Sequence, residues 1–152
     1  WRLLSDELAL LDESLELIPC VRPVSLKNSS IALIQCRHPE VVFGPHATNT
    51  HKGSIAHLPA PGDSIQRGSD SASPRLIVFP KWTDGAPPRM HAVGQGQAAM
   101  RLIDQSFNYS PLGASGFERL AGLVRSAEAW EIEYSSLDEA KDALDELVAQ
   151  HG

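Results

Sequence analysis

Four consecutive residues, Leu76-Ile77-Val78-Phe79, constrain this chain more than any other stretch. An unbroken β-branched and aromatic run closed by Pro80 is what the interior of a parallel or mixed sheet demands. The sequence after it supplies further elements. A short strand is expected near Met90 to Val93. Gln97 to Phe107 then puts Ala98, Met100, Leu102, Ile103 and Phe107 at helical spacing, and a helix after Ser115 aligns Phe117, Leu120, Ala121 and Val124. Trp130, Ile132 and Tyr134 alternate with Glu131 and Glu133, which predicts a strand with one buried face. Ser136 and Glu139 form an S-x-x-E capping box for a last helix lined by Leu137, Ala140, Leu144, Leu147 and Val148.

The first half reads as shorter pieces. Leu3-Leu4 is expected to be a strand that ends in Ser5-Asp6-Glu7, and Leu8 to Leu11 a second strand. Asp12-Glu13-Ser14 turns the chain so that Leu15 to Ile18 can return as a hairpin. Pro19 and Pro23 bracket a loop. Ser29 or Ser30 caps a short helix through Ile31, Ile34 and Gln35, stopped by Pro39. Val41-Val42-Phe43 reads as a strand, 44–53 as a polar loop with glycine at both ends, and Ser54 to Leu58 as a strand. Residues 59–75, rich in Pro, Gly, Ser and Asp, read as a surface loop with one helical turn near Ile65. The expected fold class is α/β, a mixed β-sheet with flanking helices, in a single domain over residues 1–152, since 152 residues suit one core.

Bulk properties narrow the function. A net charge of −6 argues against a broad nucleic-acid surface, which needs clustered Lys and Arg. No apolar run approaches the roughly 20 residues that cross a bilayer, so no membrane span is expected. Cys20 and Cys36 make no disulfide framework and read as reduced thiols, and the expected location is the cytoplasm. The chain opens on Trp1-Arg2 without Met or leader. A domain seldom begins inside a core strand, so an N-terminal portion is expected to precede it.

Four places could carry chemistry. An apolar strand that delivers Asp6 and Glu7 at its end is how many NTP-using enzymes place a Mg²⁺-organising or proton-accepting carboxylate; the plain alternative is a solvated turn. Lys27-Asn28, between two turns, suits phosphate or an acidic partner, or is simply surface. The loop His46 to Gly53, with His57 beyond, offers Thr48, Thr50, His51, Lys52 and a glycine backbone as donors. Its three histidines fit no zinc spacing, which favours phosphate or substrate contact over metal. Lys81 follows the central strand, where ligands of open α/β sheets bind; a charged strand terminus is the alternative. No G-x-x-x-x-G-K-[ST], no dinucleotide fingerprint at Gly94-Gln95-Gly96 and no G-x-S-x-G occurs in the chain.

Several segments together resemble one family. They are Trp1 to Asp12 (WRLLSDELALLD), Pro23 to Asn28 (PVSLKN), Thr50 to Leu58 (THKGSIAHL), Val78 to Trp82 (VFPKW), Ser106 to Tyr109, Leu112-Gly113 to Gly116-Phe117, and Tyr134 to Ala140. In that order, almost end to end, they resemble the HPr kinase-related proteins of the HprK-related kinase A group. The resemblance implies a phosphoenolpyruvate carboxykinase-like P-loop fold seen without its N-terminal P-loop unit, and an ATP- and Mg²⁺-dependent kinase acting on a protein serine or another acceptor. It gives Asp6 the general-base role. HPr kinases carry Asp-Asp where this chain has Asp6-Glu7, so Glu7 takes a supporting or metal-linked role. Lys27, Lys52 and Lys81 become nucleotide- or phosphate-binding candidates, and Asn28, Thr50 and His51 candidates of the substrate loop. Without the phosphate loop the fragment itself is expected to be inactive. A non-catalytic binding module on the same scaffold is the alternative, and self-association at an exposed sheet edge is a further expectation.

Overall fold

The computed structural model describes residues 1–151. It is mixed α/β, with six helices and three small sheets in place of the one sheet expected. The chain, expected to be one domain, divides into two compact units. The first comprises 1–12 and 16–72; the second comprises 13–15 and everything from Ser73 onward. The boundary at 72/73 falls inside the Pro/Gly/Ser-rich stretch 59–75.

In the first unit, β1 (Leu10–Leu11) pairs antiparallel with β2 (Leu17–Ile18), the expected hairpin. Its turn is tied by Asp12, whose amide donates to the Glu16 carbonyl (3.0 Å) and whose Oδ1 accepts the Glu16 amide (2.9 Å). The strand expected at Trp1 to Leu4 is absent. That segment is irregular, held by isolated bonds: the Leu3 amide to the buried Ser64 hydroxyl (3.0 Å), the Leu4 carbonyl to the Cys20 amide (2.8 Å), and the Arg2 guanidinium to the carbonyls of Arg67 and Asp70.

β3 (Val24–Lys27), β4 (Ala47–Thr50) and β5 (Gly53–Leu58) make an antiparallel sheet in the order β3-β5-β4. The stretch 44–53, expected to be loop throughout, therefore holds a strand. Its polar side chains hid it, because β4 is an exposed edge whose ladder needs only backbone. The strand expected at Val41 to Phe43 does not form. Pro39 and Pro45 bracket it, and Val42 is 79% exposed. Helix α1 (Ser29–Arg37) follows β3 after one residue, and α2 (Gly62–Gln66) is the turn expected near Ile65.

In the second unit, β6 (Leu76–Trp82) runs parallel to β8 (Glu128–Tyr134), which runs antiparallel to β7 (Arg89–Ala92). The three strands were each expected, but Pro80 does not end β6. The Glu128 amide donates to the Arg75 carbonyl (3.0 Å) and the Thr83 amide to the Tyr134 carbonyl (2.9 Å), bracketing the ladder. Residues of odd number thus bond β8, and those of even number face the free edge. Pro80 sits where its missing N–H would point away from the sheet, so the strand passes through it.

Helices cover both sides of β8. Helix α3 (Gln95–Gln105) and helix α5 (Ala114–Ser126), joined through the short α4 (Tyr109–Leu112), build a core of Val93, Ala98, Val124 and Ala129 with Ile77, Phe79, Ala99 and Leu102. Leu15 packs on α5 at Gly122, where an added Cβ would meet Leu15 Cδ1 at 2.7 Å. Helix α6 (Leu137–His151) lies against β8, and Ile132 and Leu147 are almost wholly buried. Its cap is the expected Ser136, whose Oγ accepts the Asp138 amide (3.3 Å).

Candidate functional site

Seven of the eight residues singled out from sequence lie in the first unit, and β3 organises them. β3 is an edge strand, so the amides of Ser25 and Lys27 face away from β5 and need acceptors. The Asp6 carboxylate supplies one: Oδ2 accepts the Ser25 amide at 2.9 Å. The Ser30 hydroxyl supplies the other, accepting the Lys27 amide (2.9 Å) while donating to the Lys27 carbonyl (2.6 Å). The neighbouring Glu7 carboxylate meets the Lys27 ammonium at 3.4 Å, with both side chains largely in solvent. Asp6, Glu7 and Lys27 therefore come together along one strand edge. Asp6 and Glu7 also stand in the wall of an open cleft of about 430 Å³ whose other lining is mostly leucine, with Leu17 and Ile18 opposite.

Asn28 joins this edge to the second sequence segment. It is the single residue between β3 and α1, and it adopts φ 51°, ψ −122°, a conformation that suits glycine. Four bonds hold it there. Its amide donates to the Ser54 carbonyl (2.9 Å), and its own carbonyl accepts the Ile31 amide (3.2 Å). Its side-chain Oδ1 accepts the Ser54 amide (3.1 Å), and Nδ2 donates to the Lys52 carbonyl (3.4 Å). The β4–β5 turn is built to receive it. Gly53 has φ 84°, and a Cβ there would collide with the Asn28 amide group. Thr50 closes the turn, its hydroxyl donating to the Gly53 carbonyl (2.6 Å) and accepting the Lys52 amide (3.1 Å). Thr50 is thus a turn-former. His51 and Lys52 project from the tip, exposed, and no ion pair occupies the Lys52 ammonium among the described residues.

The remaining histidines do not assemble. His46 makes an edge contact with Phe43 at 5.9 Å, and no group of three His, Cys, Asp or Glu side chains suited to a metal occurs among the described residues. Mg²⁺ in phosphotransfer sites needs less, one or two carboxylates with substrate phosphates completing its octahedron. Asp6 fits that role in part: Oδ2 is engaged by Ser25, and no hydrogen bond takes Oδ1 among the described residues. Glu7 offers a second carboxylate already facing Lys27.

Lys81 belongs to the second unit and lies inside β6, not after it. Its ammonium pairs with Glu133, its register neighbour on β8, at 3.1 Å. The Thr83 hydroxyl donates to the same carboxylate oxygen at 2.8 Å. That hydrogen bond, then the one from Lys81, holds the Glu133 carboxyl below the ordinary glutamate value, against a smaller opposing effect of desolvation. Next to it, Glu131 accepts Arg101 at 2.6 Å and faces His91 at 3.5 Å, while the Arg101 guanidinium stacks 4.9 Å from the Phe79 ring centre. Sequence alternation assigned Glu131 and Glu133 to a solvated face. They are instead 18% and 22% exposed, because β8 is the middle strand and Lys81 of β6, His91 of β7 and Arg101 of α3 meet over it. No protein-family model, curated protein or solved structure matches this chain.

Proposed function

We propose that Asp6, Glu7, Lys27, Asn28 and Lys52 form the acceptor-activating side of an ATP-dependent phosphotransfer site, of the kind implied by the resemblance to HPr kinase-related proteins. The observation that carries this reading is the convergence of two distant segments, 6–7 and 50–54, on the end of β3. In this reading Asp6 Oδ1 takes the proton from an acceptor hydroxyl, a serine or its small-molecule equivalent, as the hydroxyl oxygen bonds the γ-phosphorus and ADP leaves. Glu7 supports Mg²⁺. Lys52 and Lys27 offset phosphate charge beside the start of α1, whose first amides add to the field. The phosphate loop this chemistry requires has no counterpart in the 152 residues, so these residues alone do not turn over ATP. Lys81 stays outside the proposed site, because Glu133 already accounts for its place.

A second reading has its own support. Asp6, Glu7, Asn28 and Lys81 each have a partner within the chain, as a non-catalytic binding module would show. Titration of Mg·ATP into the product of the complete reading frame separates the two. The kinase reading expects saturable binding, ATP turnover, and about tenfold weaker binding in Lys52→Ala, the size of one exposed charge-assisted contact. A product that neither binds nor hydrolyses ATP overturns it.

A further inference from the structure

Asp84-Gly85 is the only place in the chain where Asp or Asn precedes glycine, and we propose that Asp84 is a site of covalent modification, converting to isoaspartate. Both residues are exposed, in the connection between β6 and β7. The Ala86 amide donates to the Thr83 carbonyl (3.1 Å) and Gly85 takes φ 69°, so the pair fills the two central positions of a turn. Among the described residues that single bond closes the turn. Neither the Asp84 carboxylate nor the Gly85 amide has a hydrogen-bond or ion-pair partner there, and a Cβ at Gly85 would meet nothing within 4 Å. A free side-chain carboxyl thus stands beside a free and unhindered backbone nitrogen. Elsewhere the acid or amide is bonded, as Asp6, Asp12 and Asp70 are, or lies in a helix, or precedes a residue whose side chain crowds the nitrogen, as Asn49 precedes Thr50.

The reaction needs no reagent but water. The Gly85 nitrogen bonds the carbon of the Asp84 side-chain carboxyl and gives up its proton, and the carboxyl hydroxyl leaves as water, closing a succinimide ring. Water then adds to either ring carbonyl. Breaking the bond from nitrogen to the side-chain carbon restores aspartate. Breaking the bond to the main-chain carbon leaves the chain running through Cβ, with the former backbone carbonyl as a free carboxylate, which is isoaspartate. One water leaves and one returns, so the mass is unchanged and nothing is oxidised or reduced. Glycine matters because the nitrogen must swing toward the side chain, a backbone rotation that a following Cβ obstructs. Exposed loop tips are where such chemistry concentrates. The product inserts one carbon into the Thr83 to Ala86 turn and presents its new carboxylate to solvent. The class of enzyme that reads this group is a repair methyltransferase, which esterifies it from S-adenosylmethionine. The inference concerns 83–86 alone and does not rest on the kinase reading.

Ageing the 152-residue protein for weeks at neutral pH and physiological temperature tests it. Electron-transfer mass spectrometry, which cuts isoaspartate between Cα and Cβ, should find more of it at residue 84 than at any other position. Because so little holds the turn, conversion in the folded protein should run within about tenfold of that in a peptide spanning 80–89. Labelled methyl transfer by an isoaspartyl methyltransferase should rise in step. Asp84→Glu should lose this methyl acceptance, because the larger ring closes poorly. Asp84→Asn should speed conversion, because ammonia leaves in place of water. The Asp84 side chain has no partner to lose, so both variants keep the fold. A residue 84 that stays aspartate or converts far more slowly than in the peptide, or an Asp84→Glu protein that accepts as much methyl as wild type, overturns the proposal.

Discussion

Asn28 is the residue on which the candidate site turns. A non-glycine residue at φ 51°, ψ −122° is strained, and it persists because its side chain and backbone both bond the 52–54 turn. Asn28→Ala keeps the strain and loses the side-chain bonds. It should cost about 2 kcal/mol in urea unfolding, and a cost under about 0.5 kcal/mol would show that the clasp contributes nothing. Asn28→Gly relieves the strain while losing the same bonds and should cost less. Gly53→Ala tests the other side of the clasp, because its Cβ would collide with the Asn28 amide group. Its penalty should shrink in the Asn28→Gly background, and strictly additive penalties would contradict the contact. None of this is visible in the letters Lys27-Asn28. Sequence marked the pair as polar and turn-flanked; only the fold shows that Asn28 meets a glycine 25 positions later.

The elements divide by how much of their pattern lies in side chains. Helices α3, α5 and α6 were legible to within a few residues because their apolar spacing is strong. β4 was not legible, because an exposed polar strand carries its information in the backbone. β6 was legible as a strand but its length was not: Pro80 stops a central strand and is tolerated on an edge, and the sequence does not say which β6 is. Two substitutions check that account. Pro80→Ala should change stability by less than about 0.5 kcal/mol, since it adds only an outward amide. Lys81→Pro should cost about 2 kcal/mol more than Lys81→Ala, since it alone removes an amide bonded to β8. Equal costs for the two Lys81 variants would put that amide on the free edge.

The same sheet sets an acid limb. The native Glu133 carboxyl titrates below its unfolded value, so its ionised form stabilises the fold above the unfolded value, and that contribution vanishes as acid protonates the native group. Glu133→Gln and Thr83→Val should therefore each flatten the loss of urea stability between neutral pH and the region below about pH 4. An acid limb as steep as wild type in both variants would contradict the arrangement.

At the scale of the whole molecule, the chain is two compact units in which the candidate residues are unequally shared. The first holds Asp6, Glu7, Lys27, Asn28, Thr50, His51 and Lys52; the second holds Lys81 in a charge network of its own. Among the described residues no helix is long and apolar enough to cross a membrane, as the hydropathy of the sequence led one to expect. Among the described residues the Lys52 ammonium at the candidate site has no ion-pair partner. The most direct test is steady-state phosphotransfer with Mg·ATP by the product of the complete reading frame, comparing wild type with Asp6→Asn. If Asp6 takes the acceptor's proton, kcat falls about 10²- to 10⁴-fold while the KM for ATP stays within a few-fold. An Asp6→Asn enzyme that keeps its full kcat contradicts the account.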